Sequence, residues 1–376
     1  MKIMMSAGEA SGDMHAAAVA AEIKKENPQI DIFGMGGKNM REAGVRIVYD
    51  IEHLGIIGFV EVLKHLPLFF KLIKFLKETM VNEKPDVLVC IDYPGLNMKI
   101  AHAAKEMGIP VVYYIAPTIW AWKKGRAKQI ARDVRQVASI FPFEAEAYKK
   151  AGAPVTFVGH PLADTVKTSM SFEEAMEYFG GQKDKKRILL MPGSRKNEVS
   201  GLLPVMLDAC KLISEKAECQ FYLPKADTIS DEFLKSFLSK YPELSVTVTE
   251  GKQYDLMQIC TACIASSGTA TLETALMQLP TVLIYKLAPA TWFIAKHVVE
   301  VKYAGLPNLL LQKEVTPELL QNQVTAENIE SIIVPWITDE QIRARNINEI
   351  QEVRKRLGDA GAVKRTARLI LKTAGE

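Results

Sequence analysis

Short apolar runs rich in β-branched residues alternate with stretches of helical periodicity along most of the chain. This alternation is typical of parallel α/β sheets, whose strands are buried on both faces and joined by helices. In the first half of the chain the pattern predicts seven strands: Lys2–Ser6, Asp31–Gly34, Arg46–Tyr49, Asp86–Ile91, Pro110–Ile115, Gln136–Phe141 and Val155–Val158.

The alternation stops at "GHPLADTVKTSM", Gly159–Met170, and then resumes. Five more strands are predicted: Arg187–Met191, Gln220–Leu223, Ser245–Val248, Cys263–Ser266 and Thr281–Tyr285. We therefore expect two Rossmann-like doubly wound α/β domains that face each other across a cleft, and a helical C-terminal tail. The expected divisions are an N-terminal domain of residues 1–165, a C-terminal domain of residues 166–340, and helices over 341–376 that pack on the N-terminal domain or on a partner chain.

Composition places the chain among globular proteins. A length of 376 residues suits two domains better than one, and the net charge of +3 is too small to favour a nucleic-acid partner. The chain enters a strand at once and has no apolar run long enough to span a bilayer, so a cytoplasmic location is expected. Cys260 and Cys263 form a single C-x-x-C without a second pair, which favours buried thiols over a metal site.

Two loops of the first domain carry candidate chemistry. The loop "SAGEASGD" lacks the central glycine of a dinucleotide fingerprint, so we expect it to bring a polar ligand and Glu9 to a helix start, with Ser11 or Asp13 as the cap. The loop "VCIDYPGLN" puts Asp92 at the end of a buried strand, where a carboxylate can act as a general base. Capping of the next helix is the alternative role for Asp92.

Two other segments of the first domain combine apolar and basic side chains. Trp120 and Trp122 stand beside several lysines, and we expect them to line a pocket next to a charged surface; a solvated helix face is the alternative for the lysines. The segment Ile56–Lys77 is denser in apolar residues than one core-facing stripe requires, which favours an interfacial membrane helix over a buried helix with snorkelling lysines. The side chains expected at this surface are Lys64, Phe69, Phe70, Lys71, Lys74 and Trp122.

In the second domain a predicted strand ends in "PGSR". This loop is not a Walker A motif, because the second glycine and the Gly-Lys-Ser/Thr ending are missing. Ser194 and Arg195 nevertheless offer backbone amides and a guanidinium suited to bidentate phosphate binding. A tight turn with a surface arginine is the alternative.

A second candidate phosphate loop, "SSGTATLE", follows another predicted strand of the same domain. Ser267, Gly268 and Thr269 begin a helix whose free amides attract anions, and Glu273 lies about one turn further, where a carboxylate can bind ribose hydroxyls. Asn308, in "GLPNLL", is a further polar candidate. Two phosphate loops and a ribose carboxylate predict a nucleotide diphosphate as ligand.

The motifs "AGEASGD", "GFVEVL", "DYPGLN", "APTIWAW", "PGSR-x-x-EV", "SSGTATLE" and "LPNLL" occur in this order over nearly the whole chain. Together they resemble the lipid-A-disaccharide synthase family of inverting GT-B glycosyltransferases. The resemblance implies transfer from UDP-2,3-diacylglucosamine to 2,3-diacylglucosamine 1-phosphate, which forms the β-1,6 disaccharide phosphate and UDP. It also implies an enzyme that needs no metal or other cofactor and is peripheral on the inner face of the bacterial inner membrane. A homodimer stays open, because the helical tail can cross to a partner chain.

The resemblance assigns roles to the candidate residues. Those expected to bind UDP are Ser194, Arg195, Ser267, Gly268, Thr269, Glu273 and Asn308. Arg195 is also expected to act on the leaving group and Asp92 to deprotonate the acceptor hydroxyl, while Glu9 either competes for that role or positions the acceptor. His160 is assigned to the break between the domains rather than to the substrate.

Two other classes of function remain open from the sequence. A UDP-N-acetylglucosamine 2-epimerase would share the two-domain fold and the UDP site, but it acts on a soluble sugar and has no use for the segment Ile56–Lys77. A lipid- or nucleotide-binding module without catalysis would bind UDP, but it would leave Asp92 and Glu9 without a role.

Overall fold

The computed structural model describes residues 1–54, 66–119, 125–288, 292 and 302–375 of the chain. These residues form two compact units, each built on one parallel sheet. Unit 1 comprises Met1–Asp164 and Asp359–Glu376, and unit 2 comprises Thr165–Gly358.

Unit 1 contains a seven-stranded sheet in the order β3-β2-β1-β4-β5-β6-β7, with every neighbouring pair parallel. Its strands are β1 Lys2–Ala7, β2 Asp31–Gly36, β3 Arg46–Asp50, β4 Val87–Ile91, β5 Val111–Tyr114, β6 Gln136–Ser139 and β7 Val155–Phe157. The strand order reverses between β1 and β4, so the loops after these two strands meet at the carboxyl edge of the sheet.

The helices of the first 165 residues are α1 Ala10–Glu26, α2 Lys38–Glu42, α3 Leu66–Glu83, α4 Pro94–Glu106, α5 Gly125–Asp133, α6 Pro142–Lys150 and α7 Leu162–Thr165. The central strand β4, "VLVCI", is buried along its whole length, which explains its unbroken apolar sequence. One core cluster joins Leu88 of β4 and Tyr113 of β5 to Leu76, Ile100 and Ile130 from the helices.

Unit 2 contains a six-stranded parallel sheet in the order β10-β9-β8-β11-β12-β13. Its strands are β8 Lys186–Met191, β9 Cys219–Pro224, β10 Val246–Thr249, β11 Ala262–Ser266, β12 Thr281–Tyr285 and β13 Glu318–Leu320. Its described helices are α8 Phe172–Tyr178, α9 Lys196–Ser214, α10 Asp231–Leu238, α11 Gln253–Ile259, α12 Thr269–Leu276, α13 Leu306–Leu311, α14 Ala326–Thr338 and α15 Glu340–Leu357. The order reverses between β8 and β11, so the loops after these strands are neighbours.

The predicted C-terminal segment 341–376 is divided between the two units. Helix α15 belongs to unit 2, where it packs against α12, α13 and α14. After Gly358 the chain returns to unit 1, and its last helix, α16 Ala362–Gly375, packs on α1. This division could not be predicted, because α15 and α16 are both amphipathic and only a short loop separates them.

Asp164 and Arg365 hold the returning chain in unit 1. The Asp164 carboxylate accepts the backbone N–H of Gly361 and, at 3.1 Å, that of Val363 in the first turn of α16. The Arg365 guanidinium donates to the carbonyl of Val158 at 2.7 Å and to that of Asp359 at 2.6 Å. Asp164 therefore caps a helix almost two hundred residues away in the sequence.

All twelve predicted strands are present, with ends displaced by at most two residues. Strand β13 was missed because it has three residues and follows a proline, so it shows no alternation. The five cysteines are free thiols, and burial raises the pKa of Cys90, Cys210 and Cys263. Within the described residues, no group of three or more His, Cys, Asp or Glu side chains is arranged to hold a metal ion.

Replacing Asp164 by alanine is expected to lower the free energy of unfolding by about 1 kcal/mol, the usual cost of losing a helix cap. In the variant, the amides of α16 should also exchange with solvent faster than in the wild type, while the exchange of the α15 amides should change less. Urea unfolding and hydrogen exchange measure the two effects, with the exposed Asp184→Ala as the control. Unchanged exchange in α16 would contradict the capping role.

Candidate active site

The buried side chain of Asn97 connects the two loops at the carboxyl edge of unit 1. Its amide nitrogen lies within hydrogen-bond distance of the carbonyls of Ser6 (3.1 Å), Ile91 (3.0 Å) and Asp92 (2.8 Å). Its oxygen accepts the Ser6 hydroxyl at 2.7 Å. One side chain at the start of α4 therefore fixes the ends of β1 and β4 to each other.

Asp92 follows β4 in a left-handed backbone conformation, with φ of +48°, and Tyr93 repeats it with φ of +46°. Such conformations cost non-glycine residues about 1–3 kcal/mol each and persist where the surroundings enforce them. Here the Asp92 N–H donates to the Tyr114 carbonyl at 3.2 Å, and the Tyr113 hydroxyl donates to the Asp92 carbonyl at 2.9 Å. Such strained residues are common at functional sites, so this turn supports the choice of the loop as a candidate site.

Burial raises the pKa of the Asp92 carboxyl, and a hydrogen bond from the Tyr93 backbone N–H partly offsets the rise. Asp92 does not cap the following helix, since Tyr93 occupies the N-cap position of α4. The capping alternative is therefore wrong. A partly buried carboxyl with a raised pKa is a suitable general base, because it holds a proton more readily than an ordinary aspartate does.

Glu9 stands at the N-cap position of α1 and is exposed. The preceding Gly8 is in close contact with the ring of Tyr93. The Glu9 charge, after burial, is a cause of the raised pKa of the Tyr93 phenol. The structure thus brings the loops of Glu9 and Asp92 together, as the strand order requires.

The expected cap of α1 by Ser11 or Asp13 is wrong. Asp13 is buried and faces away from its own helix start, where it accepts backbone N–H groups of Gly37 at 2.6 Å, Asn39 at 2.9 Å and Met40 at 3.2 Å. It therefore caps α2, a contact between residues more than twenty positions apart that the sequence pattern does not indicate.

His160 lies after β7 and is only 6% exposed. Its Nδ1 accepts the Leu162 backbone N–H at 3.1 Å, and its ring lies 4.9 Å from that of Phe141. Burial and the nearby His15 lower the pKa of His160 to about 3, so the imidazole is neutral. These contacts give the side chain a local role in ordering the chain after β7.

The predicted membrane-facing surface is described only in part, because Lys64 and Trp122 lie outside the described residues. On α3, Phe69 is half-buried and packs on the core, whereas Phe70 is 59% exposed. The exposed side chains next to Phe70 on the same helix include Lys71 and Lys74. No helix in the described part of the chain is both long and apolar enough to cross a membrane.

In unit 2 the "PGSR" loop follows β8 and leads into α9. Gly193 has φ of +113°, a conformation that glycine adopts without strain. The amides of Ser194 and Arg195 donate to Oε2 of Glu198 at 3.2 and 3.3 Å, and the Arg195 guanidinium donates to Oε1 at 3.1 Å. A carboxylate of the chain itself thus occupies the expected anion position, while the Arg195 side chain stays 81% exposed.

Glu198 was missed in the sequence, although a glutamate three residues after a helix N-cap is a known signal for this contact. The contact between Glu198 and the loop shows that two amides and a guanidinium can bind anionic oxygen here. A phosphate at these amides must share them with Glu198 or replace it.

The second phosphate loop follows β11, next to β8. Gly268 is the N-cap of α12, and no described side chain caps this helix start. Thr269 is exposed, and the Ser267 hydroxyl donates to the Ala304 carbonyl at 3.3 Å. The first amides of α12 are therefore arranged to receive an anion at the same edge as the "PGSR" loop.

Glu273 lies one turn into α12 and is half-buried. Its Oε1 accepts the Tyr254 hydroxyl at 2.9 Å and the Gln253 amide at 3.4 Å, whereas no described residue donates to Oε2. Burial raises the pKa of Glu273, and the Tyr254 hydrogen bond opposes the rise. One carboxylate oxygen is thus held in place, and the other can accept a further hydrogen bond. The sequence analysis did not identify Tyr254, from α11, as a residue of this site.

The Asn308 side chain forms hydrogen bonds with neighbouring parts of the chain. It is fully buried; its oxygen accepts the N–H groups of Val315 at 2.7 Å and Thr316 at 2.9 Å, and its nitrogen donates to Glu318 at 2.7 Å. Glu318 also accepts the Gly305 N–H at 2.9 Å. Asn308 therefore orders the chain around the start of α13. Its expected contact with UDP stays a prediction.

The fold resembles that of nucleotide-sugar enzymes. A UDP-GlcNAc 2-epimerase from Neisseria meningitidis superposes with a TM-score of 0.70 at 15% identity, covering 99% of this chain and 100% of that one. MurG from Acinetobacter baumannii gives a TM-score of 0.60 at 16% identity, with 99% of each chain covered. These likenesses define the fold class as GT-B-like, with two parallel-sheet α/β units, and confirm the predicted class.

Sequence relatives are more specific than the fold. Lipid-A-disaccharide synthase of Geobacter metallireducens is 41% identical over 376 residues, covering 100% of this chain and 98% of that protein. The synthase of Trichlorobacter lovleyi is 42% identical, with 98% and 97% covered. The model of the lipid-A-disaccharide synthetase family matches residues 3–372. The chain belongs to this family of glycosyltransferases, as predicted, and the epimerase likeness concerns the fold alone.

Glu198→Gln is expected to tighten UDP binding, because the amide oxygen still accepts the loop N–H groups but no longer repels the diphosphate. Removing a like charge at about 4 Å in water is worth about 1 kcal/mol, or roughly fivefold in affinity. Titration calorimetry with UDP measures the change.

Glu340→Gln is the matched control for Glu198→Gln. It removes the same charge from an exposed pair with Arg343, which has the same three-residue spacing on another helix of unit 2. Weaker UDP binding in Glu198→Gln alone would mean that the carboxylate is required to hold the loop.

Proposed function

We propose that the chain transfers 2,3-diacylglucosamine from its UDP derivative to the 6-hydroxyl of 2,3-diacylglucosamine 1-phosphate, with inversion at the anomeric carbon. The products are the β-1,6-linked disaccharide 1-phosphate, a precursor of lipid A, and UDP. The observation that carries this proposal is membership of the lipid-A-disaccharide synthase family over residues 3–372.

The donor binds in unit 2 under this proposal. Its diphosphate lies between the "PGSR" loop and the start of α12, where Ser194, Arg195 and the amides of Ser267–Thr269 supply donors. This assignment is supported by the adjacency of β8 and β11 and by the carboxylate already bound at Ser194 and Arg195. The open oxygen of Glu273 accepts a ribose hydroxyl, while Tyr254 fixes the other oxygen.

The same groups promote the reaction. As the bond between the anomeric carbon and the diphosphate breaks, negative charge grows on the leaving UDP. The Arg195 guanidinium and the amides of α12 then interact more strongly than in the ground state, which lowers the barrier rather than only improving binding. Asn308 and Glu318 keep the chain beside Ser267 in place through the hydrogen bonds at Gly305.

The acceptor binds at unit 1, where Asp92 is the proposed general base. Asp92 takes the proton of the 6-hydroxyl, the oxygen forms a bond to the anomeric carbon from the face opposite UDP, and UDP leaves with the bonding electron pair. The raised pKa of Asp92 supports this role. Glu9 lies at the same loop pair and positions the acceptor, or replaces Asp92 as the base.

We further propose that unit 1 meets the inner face of the bacterial inner membrane through the exposed side of α3. Phe70 presents an apolar ring, and Lys71 and Lys74 add positive charge beside it. Anionic lipid attracts such basic groups with about 1 kcal/mol for each near the surface. The acyl chains of both substrates then remain in or near the bilayer.

Asp92→Asn is expected to reduce disaccharide formation by at least about a hundredfold, since a positioned base contributes on this scale. UDP affinity should not change, because the donor binds in unit 2. Turnover of both substrates in detergent without added metal, with Glu9→Gln in parallel, measures the effect. An active Asp92→Asn with an inactive Glu9→Gln would make Glu9 the base; a wild type that forms no disaccharide would contradict the proposed reaction.

The pH dependence carries a further expectation for Asp92. The base must be ionised to accept a proton, and burial raises the pKa of Asp92. The acid limb of kcat/KM should therefore lie above the ordinary carboxyl range near pH 4, and activity should fall as pH decreases through it. Residual activity of Asp92→Asn should lack this limb.

Phe70→Asp is expected to weaken flotation with anionic liposomes, because it replaces an exposed apolar ring with a negative charge. Phe172→Asp is the matched control, since Phe172 is 45% exposed on α8 of unit 2. Equal losses in the two variants, or no association of the wild type, would contradict a membrane surface on α3.

A further inference from the structure

Tyr93 lies between the proposed base and the first proline of α4, and neither the sequence nor the proposed reaction gives it a role. Its ring is half-buried, and its backbone is held in the left-handed region directly after Asp92. The hydrogen bonds of Asn97 and Tyr113 to the Asp92 carbonyl enforce this turn, so the direction of the Tyr93 side chain is fixed by buried groups.

The ring of Tyr93 covers Gly8 of the opposite loop. A methyl group at Gly8 would lie 2.2 Å from Cδ1, 2.5 Å from Cγ and 2.7 Å from Cε1 of the ring. Gly8 does not adopt a left-handed backbone, so it is the space taken by Tyr93, and not the conformation, that excludes a larger residue. The two loops are thus fitted to each other through an aromatic ring.

The Tyr93 ring is next to both candidate carboxylates in the chain or across the loop contact. Asp92 precedes Tyr93 in the chain, and Glu9 follows Gly8. The negative charge of Glu9 contributes, after burial, to the raised pKa of the Tyr93 phenol, which therefore stays neutral. A neutral, partly exposed aromatic surface lies where two carboxylates would receive a sugar.

We propose that the exposed part of the Tyr93 ring is a wall of the acceptor site, on which the apolar C–H face of the acceptor pyranose packs. This proposal rests on the proposed function, because it needs a sugar hydroxyl at Asp92. The face of an aromatic ring is electronegative and attracts the polarised C–H bonds of a sugar ring, while the hydroxyls at the pyranose edge reach the carboxylates. Tyr93 then determines how the 6-hydroxyl is presented to Asp92.

The test measures the KM of the acceptor and of the donor separately in Tyr93→Ala, Tyr93→Leu and Tyr93→Phe. We expect Tyr93→Ala to raise the acceptor KM about tenfold, the scale of one aromatic contact with its buried area. Tyr93→Leu, which keeps apolar volume without a ring, should raise it more than Tyr93→Phe. The donor KM and UDP affinity should change less than twofold, which also establishes that the variants are folded.

Gly8→Ala provides a second perturbation that leaves Tyr93 chemically intact. The added methyl displaces the ring, so Gly8→Ala should raise the acceptor KM in the wild type. In the Tyr93→Ala background the space is empty, and the same change should have little further effect. This non-additivity is a signature that a general loss of stability would not produce.

Three results would overturn the proposal. Tyr93→Ala could lower kcat with an unchanged acceptor KM, Tyr93→Leu could equal Tyr93→Phe, or the effects of Gly8→Ala and Tyr93→Ala could add. A wild type that makes no disaccharide would instead overturn the proposed function, and with it the substrate to which Tyr93 is assigned.

Discussion

The buried amide of Asn97 is the interaction on which the rest of unit 1 depends. It is hydrogen-bonded to both strand ends at the point where the strand order reverses, and there it enforces two consecutive left-handed residues. Without it the ends of β1 and β4 would lose the side-chain hydrogen bonds that join them. The backbone of Asp92 and the turn that carries Tyr93 are held by this contact, although Asn97 itself is fully buried and need not touch a substrate.

In unit 2, carboxylates rather than an amide side chain hold the loops at the candidate site. Glu198 holds the amides after β8, and Glu318 holds those before α13 together with Asn308. Loops that bind phosphate need exposed N–H groups, and such groups are poorly ordered without a partner. In the loop after β8 an internal carboxylate supplies the partner. Glu273 is also held by a neighbouring side chain, since the Tyr254 hydroxyl donates a hydrogen bond to one of its two oxygens.

The strands, and which loops meet at a carboxyl edge, could be predicted because burial on both faces leaves continuous apolar runs in the sequence. The identities of Asp92, Glu9 and the two phosphate loops as candidates also followed from their position after such runs. The contacts of Asn97, Asp13 and Asn308 could not be predicted, since they join residues whose proximity depends on tertiary folding. Tyr93 was missed because an aromatic residue after a strand is common, and only the structure shows that its ring leaves no room for a side chain at Gly8.

The return of the last helix to unit 1 has a consequence for biosynthesis. The larger part of unit 1 precedes unit 2 in the chain, but unit 1 is completed only by α16, which is made after unit 2. Domains generally fold as units while the chain emerges from the ribosome. Unit 2 is continuous in sequence and can therefore reach its final structure first. Until α16 is made, the side of α1 that packs on it has no partner. During translation the N-terminal unit therefore stays incomplete until α16 has emerged, and a nascent chain stalled before Ala362 would leave α1 without its packing partner.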